Sequence, residues 1–246
     1  MQIDYHRFYS PSLGRDMEVK SYGHAGKPVL AIPCQNGRFY EWEGFGMHDV
    51  LSPWIDGGRI RLFTVDTVDA ETVSALGGDA RWRIERHEAW IRYLTEELVP
   101  FIHDVCQSGE GILVTGFSMG AYHAANLFYR FPQRFDSLIA LSGTYDTSGF
   151  FGGYMDDLVY LNDPCASIGN MPSDHPYIDL YNARKAVICV GQGAWEGPLL
   201  EGTRRFDAVL RQKGITTWVD YWGYDSAHDW PWWKKQIVYF LEKMEL

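Results

Sequence analysis

The chain has 246 residues, 46% hydrophobic and 22% charged, with a formal net charge of −10. That length and apolar content fit one α/β domain whose core needs no disulfide or metal staple. The acidic balance excludes general affinity for nucleic acid or anionic membrane, because no basic patch offsets phosphate repulsion.

The N-terminal segment, up to about Tyr22, reads as one or two antiparallel strands. Lys27–Pro33 (K-P-V-L-A-I-P) and Arg59–Val65 (R-I-R-L-F-T-V) are short buried strands. Arg81 to Val105 is a long helix, with Ile91, Leu94, Leu98 and Ile102 on one face and Pro100 placed to kink it. Gly111–Thr115 is a central strand, Met119 to Tyr129 a helix, and Phe135–Leu141 a further strand. Residues 144–183 are rich in Gly, Pro, Asp and Asn. They read as an irregular lid-like excursion, with short helices between Phe151 and Leu161. Lys185–Gly191 is another buried strand, and Pro198 to Gln212 a helix that Gly214 ends. Ile215–Trp222 is the last strand, and Trp230 to Met244 the closing helix.

Strands alternating with helices imply a mostly parallel sheet with helices on both faces, a three-layer αβα fold in one domain. Ligands of such sheets bind beyond the carboxyl ends of the strands, so functional residues belong just after strands. The four cysteines (Cys34, Cys106, Cys165, Cys189) lack C-x-x-C spacing, and no Cys/His cluster has zinc-site spacing. No metal or cofactor is therefore expected. Reduced thiols, the absence of a signal-length apolar stretch at Met1–Tyr9 and the absence of a membrane-length apolar run point to a cytoplasmic protein. A homo-oligomer is compatible with this sequence. Aromatic residues make up 15%, with ten Trp. Some of these must line a cleft or sit half exposed, since Trp is rarely fully buried.

The strand Gly111–Thr115 leads into Gly116–Phe117–Ser118–Met119–Gly120, a G-x-S-x-G. The pattern has a steric reason. A serine on a sharp strand-to-helix turn leaves no room for side chains two positions before and after it. The helix N-terminus then directs its dipole and free N–H groups to where a negative oxygen develops. The plain alternative is a Gly-rich turn, but the preceding apolar strand and the small residues Gly120, Ala121, Ala124 and Ala125 favour the nucleophile.

A serine hydroxyl needs a base. His228 follows the last strand and precedes the last helix, at the sheet edge where Ser118 should lie. His123 should point away into packing or solvent. His6, His24, His48, His87, His103 and His175 read as surface residues. The base needs an acid, and in this fold the chain order is Ser, acid, His. Glu196, in the loop Q-G-A-W-E-G-P after the Lys185–Gly191 strand, is the choice over Asp225 and Asp229. Asp229 reads better as a helix cap ahead of Pro231. An oxyanion hole needs two N–H donors: Met119, and one from C-Q-N-G after Pro33. Gln35 is preferred there, with Asn36 the alternative. Aromatics near these loops (Phe39, Tyr40, Trp42, Phe117, Tyr122, Trp195, Trp230) are candidate linings of an acyl pocket, and Phe117, Tyr122, Trp195, Trp230 and Asn36 are the substrate contacts expected.

G-F-S-M-G-A-Y at Gly116–Tyr122, W-E at Trp195–Glu196 and H-D-W-P-W-W at His228–Trp233 resemble the putative-esterase branch of the α/β-hydrolases. That branch includes S-formylglutathione hydrolases, feruloyl esterases and mycolyltransferases. The likeness implies triad roles for Ser118, Glu196 and His228. One departure is P-C-Q-N-G where many members carry an H-G-G-like stretch. The stretch G-R-F-Y-E-W-E-G-F-G-M resembles an uncharacterised bacterial esterase group. The function expected is a serine esterase cleaving a small-molecule ester or thioester. The rivals are an acyltransferase using the same triad, a peptidase, and a silent binding protein of the same fold.

Overall fold

A computed structural model describes all residues, 1–246. Its eight strands are β1 (Ile3–Ser10), β2 (Arg15–Tyr22), β3 (Lys27–Ile32), β4 (Ile60–Val65), β5 (Ile112–Phe117), β6 (Phe135–Leu141), β7 (Lys185–Val190) and β8 (Trp218–Tyr221). They form one sheet in the order β1-β2-β4-β3-β5-β6-β7-β8. β2 runs antiparallel to β1 and β4, and every other pairing is parallel. This is the α/β-hydrolase fold.

Three short helices follow β3: α1 (Glu41–Gly44), α2 (Met47–Val50) and α3 (Ser52–Asp56). Then come α4 (Ala80–Arg92), α5 (Val99–Cys106), α6 (Met119–Arg130), α7 (Asp157–Leu161), α8 (Pro164–Gly169), α9 (Pro176–Asn182), α10 (Gly197–Gln212) and α11 (Trp230–Lys243). Alternation along the buried strands divides the core between two faces. Leu30, Ile32, Ile112 and Val114 pack toward α4, α5, α6 and α10, whereas Val29, Ala31, Leu113 and Phe117 pack toward α1–α3 and α11. Ala121, Ala124 and Ala125 are fully buried, so small side chains let α6 lie close on the sheet. No helix is long and apolar enough to cross a membrane.

The structure corrects some boundaries. The expected long helix is interrupted by a π turn over Tyr93–Leu98, just before Pro100. Proline has no N–H for the carbonyl four residues back, and its ring collides with that carbonyl, so the preceding turn opens. β8 starts at Trp218 rather than Ile215. The Ile215 and Thr216 N–H groups are taken by Leu210 O and Asn182 Oδ1 and are not free for β7. In the excursion, Gly152 and Gly153 have positive φ, so no helix forms until Asp156 caps α7 by accepting the Val159 N–H at 2.8 Å. The excursion is anchored on α6. Tyr122 donates its hydroxyl to Asn162 O at 2.8 Å, and Arg130 bridges Glu88 and Asn162 Oδ1, both at 2.7 Å.

Candidate active site

β5 ends on Phe117, and α6 begins at Met119. Between them Ser118 has φ 55° and ψ −122°. A non-glycine residue there costs of order 1–3 kcal/mol and persists only where its surroundings enforce it. The two glycines do so. A Cβ on Gly116 would meet Gly120 O at 2.3 Å, and one on Gly120 would meet Ile32 O at 2.4 Å and Pro33 O at 2.5 Å. Both positions therefore require glycine, and α6 begins directly against the end of β3.

His228 Nε2 lies 3.0 Å from Ser118 Oγ. Behind the imidazole, His228 Nδ1 is 3.5 Å from Glu196 Oε2, an ion-pair distance longer than a hydrogen bond. Glu196 is fully buried. Its other oxygen, Oε1, accepts the Ser142 hydroxyl at 2.5 Å, and Ser142 Oγ in turn accepts Trp233 Nε1–H at 3.1 Å. The His228 ring stands edge-on to Trp233, with ring centres 4.9 Å apart.

Two loops at the carboxyl ends of β7 and β8 carry Glu196 and His228, and backbone bonds join them. Gly193 N–H donates to Ser226 O at 2.8 Å and His228 N–H to Ala194 O at 3.0 Å. The approach is so close that a Cβ on Gly191 would sit 2.1 Å from Ser226 O. Asp229 caps α11, its Oδ1 accepting the Trp230 N–H at 2.7 Å, and Asp225 is exposed.

The loop after β3 presents three consecutive N–H groups. Cys34 N–H donates to Glu41 Oε2 at 2.7 Å and Asn36 N–H to Asp69 Oδ2 at 3.2 Å, while Gln35 N–H donates to no protein atom. Of the two candidates in this loop, Gln35 is therefore the free donor. Met119 N–H lies in the first turn of α6, where no carbonyl of the helix itself can accept it. Burial pushes the Glu41 carboxyl above its ordinary range, although the Cys34 N–H works against that rise.

Three sequence expectations need correction. Phe117 is fully buried, stacked between Trp42 and Trp233, and cannot touch a ligand. Tyr122 is likewise enclosed, its hydroxyl committed to Asn162 O. His87 is not a surface residue. It is fully buried with neither ring nitrogen bonded, and burial lowers its pKa to about 3. His123 points into the packing as expected, fully buried with Nε2 2.8 Å from Asp69 Oδ1. Trp195 is 86% exposed beside Glu196 at φ 68°, and Trp230 stacks on Phe45 at 4.3 Å. Ser142, Trp233, Glu41 and Asp69 were missed in the sequence. A Ser-Gly at the end of β6 was the only signal for Ser142, and the carboxylates carried none.

The largest cavity, about 430 Å³, lies between the end of α6 and α7–α9, lined by residues such as Tyr129, Arg130 and Tyr177. None of Ser118, Glu196 and His228 lines it. The strained turn and the hydrogen-bonded side chains are better guides to the chemistry than the volume. No group of three or more His, Cys, Asp or Glu side chains is placed to hold a metal ion.

The fold has close solved counterparts. A ferulic acid esterase superposes with a TM-score of 0.74 at 14% identity, covering 96% of this chain and 95% of that one. The apoenzyme of an S-formylglutathione hydrolase (FrmB) from Staphylococcus aureus gives 0.70 at 13%, with 99% and 96% covered. MPT51 (FbpC1) of Mycobacterium tuberculosis gives 0.74 at 16%, with 99% and 97% covered. No curated protein matches this chain. The family model described as "Putative esterase" matches residues 10–244. This chain, with its α/β-hydrolase fold, therefore belongs to that esterase family.

Proposed function

We propose that this esterase cleaves a carboxylic ester, or a thioester, through an acyl-enzyme on Ser118. The observation that carries the reading is the 3.0 Å contact of Ser118 Oγ with His228 Nε2, with the serine on a left-handed turn at a helix N-terminus. His228 takes the Ser118 proton on Nε2 as Oγ attacks the acyl carbon. That step requires the other imidazole proton on Nδ1, the tautomer that the Glu196 carboxylate 3.5 Å away favours. The same carboxylate stabilises the imidazolium. Catalytic contacts are often long in the free enzyme and tighten with substrate, so attack would draw Nδ1–H and Glu196 together. The N–H groups of Met119 and Gln35 would hold the tetrahedral oxyanion. His228 then protonates the leaving group and activates the water that releases the acid.

The exposed indole of Trp195 and the exposed ring of Phe45, which stacks on the buried Trp230, offer apolar surface to the substrate. Phe150 and Phe151 of the excursion cluster with Val73 and Met119, which supports a pocket-wall role for residues 144–183.

A fluorophosphonate probe should label Ser118, located by peptide mass spectrometry. Ser118→Ala should stay folded, take no label and lose hydrolysis of short p-nitrophenyl esters. Turnover at the wild-type level in that variant would refute the proposal. Adding alcohol acceptors and analysing products separates hydrolysis from acyl transfer.

A further inference from the structure

The free Gln35 N–H sits between two neighbours that are each held by a buried or half-buried carboxylate. One of these carboxylates reaches further than the loop. Asp69 is 1% exposed and is bonded at both oxygens: Oδ2 accepts Asn36 N–H at 3.2 Å, and Oδ1 lies 2.8 Å from His123 Nε2. His123 belongs to α6, the helix that Ser118 starts. Burying a carboxylate is costly unless it is bonded, and here the bonds tie together the loop after β3 and the helix carrying the serine. The same turn grips the Gln35 side chain, whose Nε2 donates to Ser74 Oγ at 2.8 Å, while the Ser74 N–H donates to Asp69 O at 2.9 Å. Asn36 adopts φ 60°, a left-handed conformation that this bond helps to hold.

We infer that Asp69 is a positioning residue of the oxyanion hole. By bonding Asn36 N–H and His123 at once, it fixes the Gln35 N–H relative to Ser118 and the Met119 N–H. The inference rests on the serine mechanism proposed above. Asp69 touches no reacting atom. Its effect passes through the loop, so its loss should weaken binding of the oxyanion more than binding of the neutral ester.

The test measures kcat and KM for p-nitrophenyl acetate, with active sites counted by fluorophosphonate end-point labelling. It also measures inhibition by an alkyl trifluoromethyl ketone, whose adduct with the serine carries an oxyanion. Removing an oxyanion donor outright costs about 10²–10³ in turnover, and displacing one should cost less. For Asp69→Ala we expect kcat per labelled site to fall about 10- to 100-fold, KM to stay within about threefold, and ketone affinity to fall with kcat. Asp69→Asn should recover most of the loss. Its carbonyl can accept Asn36 N–H while its amide donates to His123, whose proton can move to the unbonded Nδ1. A purely structural role would lower thermal stability and the number of labelled sites but leave kcat per site and ketone affinity unchanged, and that result overturns the inference. Should Asp69→Ala not fold, the wild-type protein still decides. The Asn36 amide should be protected from hydrogen exchange, while the Gln35 amide exchanges fast and slows when the ketone binds. An unprotected Asn36 amide overturns it as well. An active Ser118→Ala would instead defeat the serine mechanism itself. A dead Ser118→Ala beside a fully active Asp69→Ala would defeat only the role of Asp69.

Discussion

Glu196→Gln isolates the charge behind His228 with little change of shape. In the proposed mechanism the imidazole becomes positive as Ser118 attacks, and the carboxylate stands 3.5 Å from Nδ1. At an effective dielectric constant of about 20, two unit charges at that distance attract by about 4.7 kcal/mol. One decade in rate is about 1.4 kcal/mol, so full loss of this term corresponds to roughly 10³-fold. The His228 side chain is 20% exposed, and water screens part of the field. A fall in kcat/KM of about 10²–10³ is therefore expected, mostly in kcat. The glutamine adds a second effect in the same direction. It can point its amide N–H₂ at Nδ1 and so favour the wrong tautomer. The assay is p-nitrophenyl ester hydrolysis at neutral pH, with thermal unfolding run alongside to confirm folding. Asp225→Asn is the control and should change little, because that carboxylate is exposed. A Glu196→Gln enzyme within tenfold of wild type would refute the reasoning, as would a larger loss from Asp225→Asn.

Gly120→Ala should destabilise, because its Cβ would stand 2.4 Å from Ile32 O and 2.5 Å from Pro33 O, both backbone atoms. Overpacking of this kind costs about 1–3 kcal/mol, a fall in Tm of roughly 2–12 °C for a chain of this size, and an unchanged Tm in calorimetry would contradict it. His87 should make stability fall in acid. Its folded pKa is lowered by burial to about 3, below the ordinary value of 6.5, so the unfolded chain binds the proton first. Its contribution is intact above pH 6.5 and is lost as pH falls toward 3, amounting to about 2 kcal/mol between pH 7 and pH 5. Urea titrations at those two pH values should show His87→Leu losing less stability than wild type by that amount, and equal losses would refute the assignment.

The strands and main helices were legible because burial imposes periodicity, and the three proposed triad residues because each follows a strand in the order this fold allows. Aromatic roles were not legible. Phe117 and Tyr122 flank the serine closely in sequence, but one follows the strand alternation and the other the helix face, and both directions lead into the core. His87 misled for a related reason. A lone histidine on a helix reads as polar, yet in the interior it stacks on His123 and packs at a tilt against Trp90.

The sequence by itself determined where a strained serine turn had to lie, since only glycine fits two positions on either side of it. It also determined which loops follow strands, since β-to-α connections are local. What only the tertiary structure decided is which side chains meet across those loops. The bonds of Ser142 to Glu196, of Asp69 to both Asn36 and His123, and of Glu41 to Cys34 depend on how far apart separate strands and helices settle when packed. Distances of that kind are set by the volume and shape of the whole core, and no spacing along the chain encodes them.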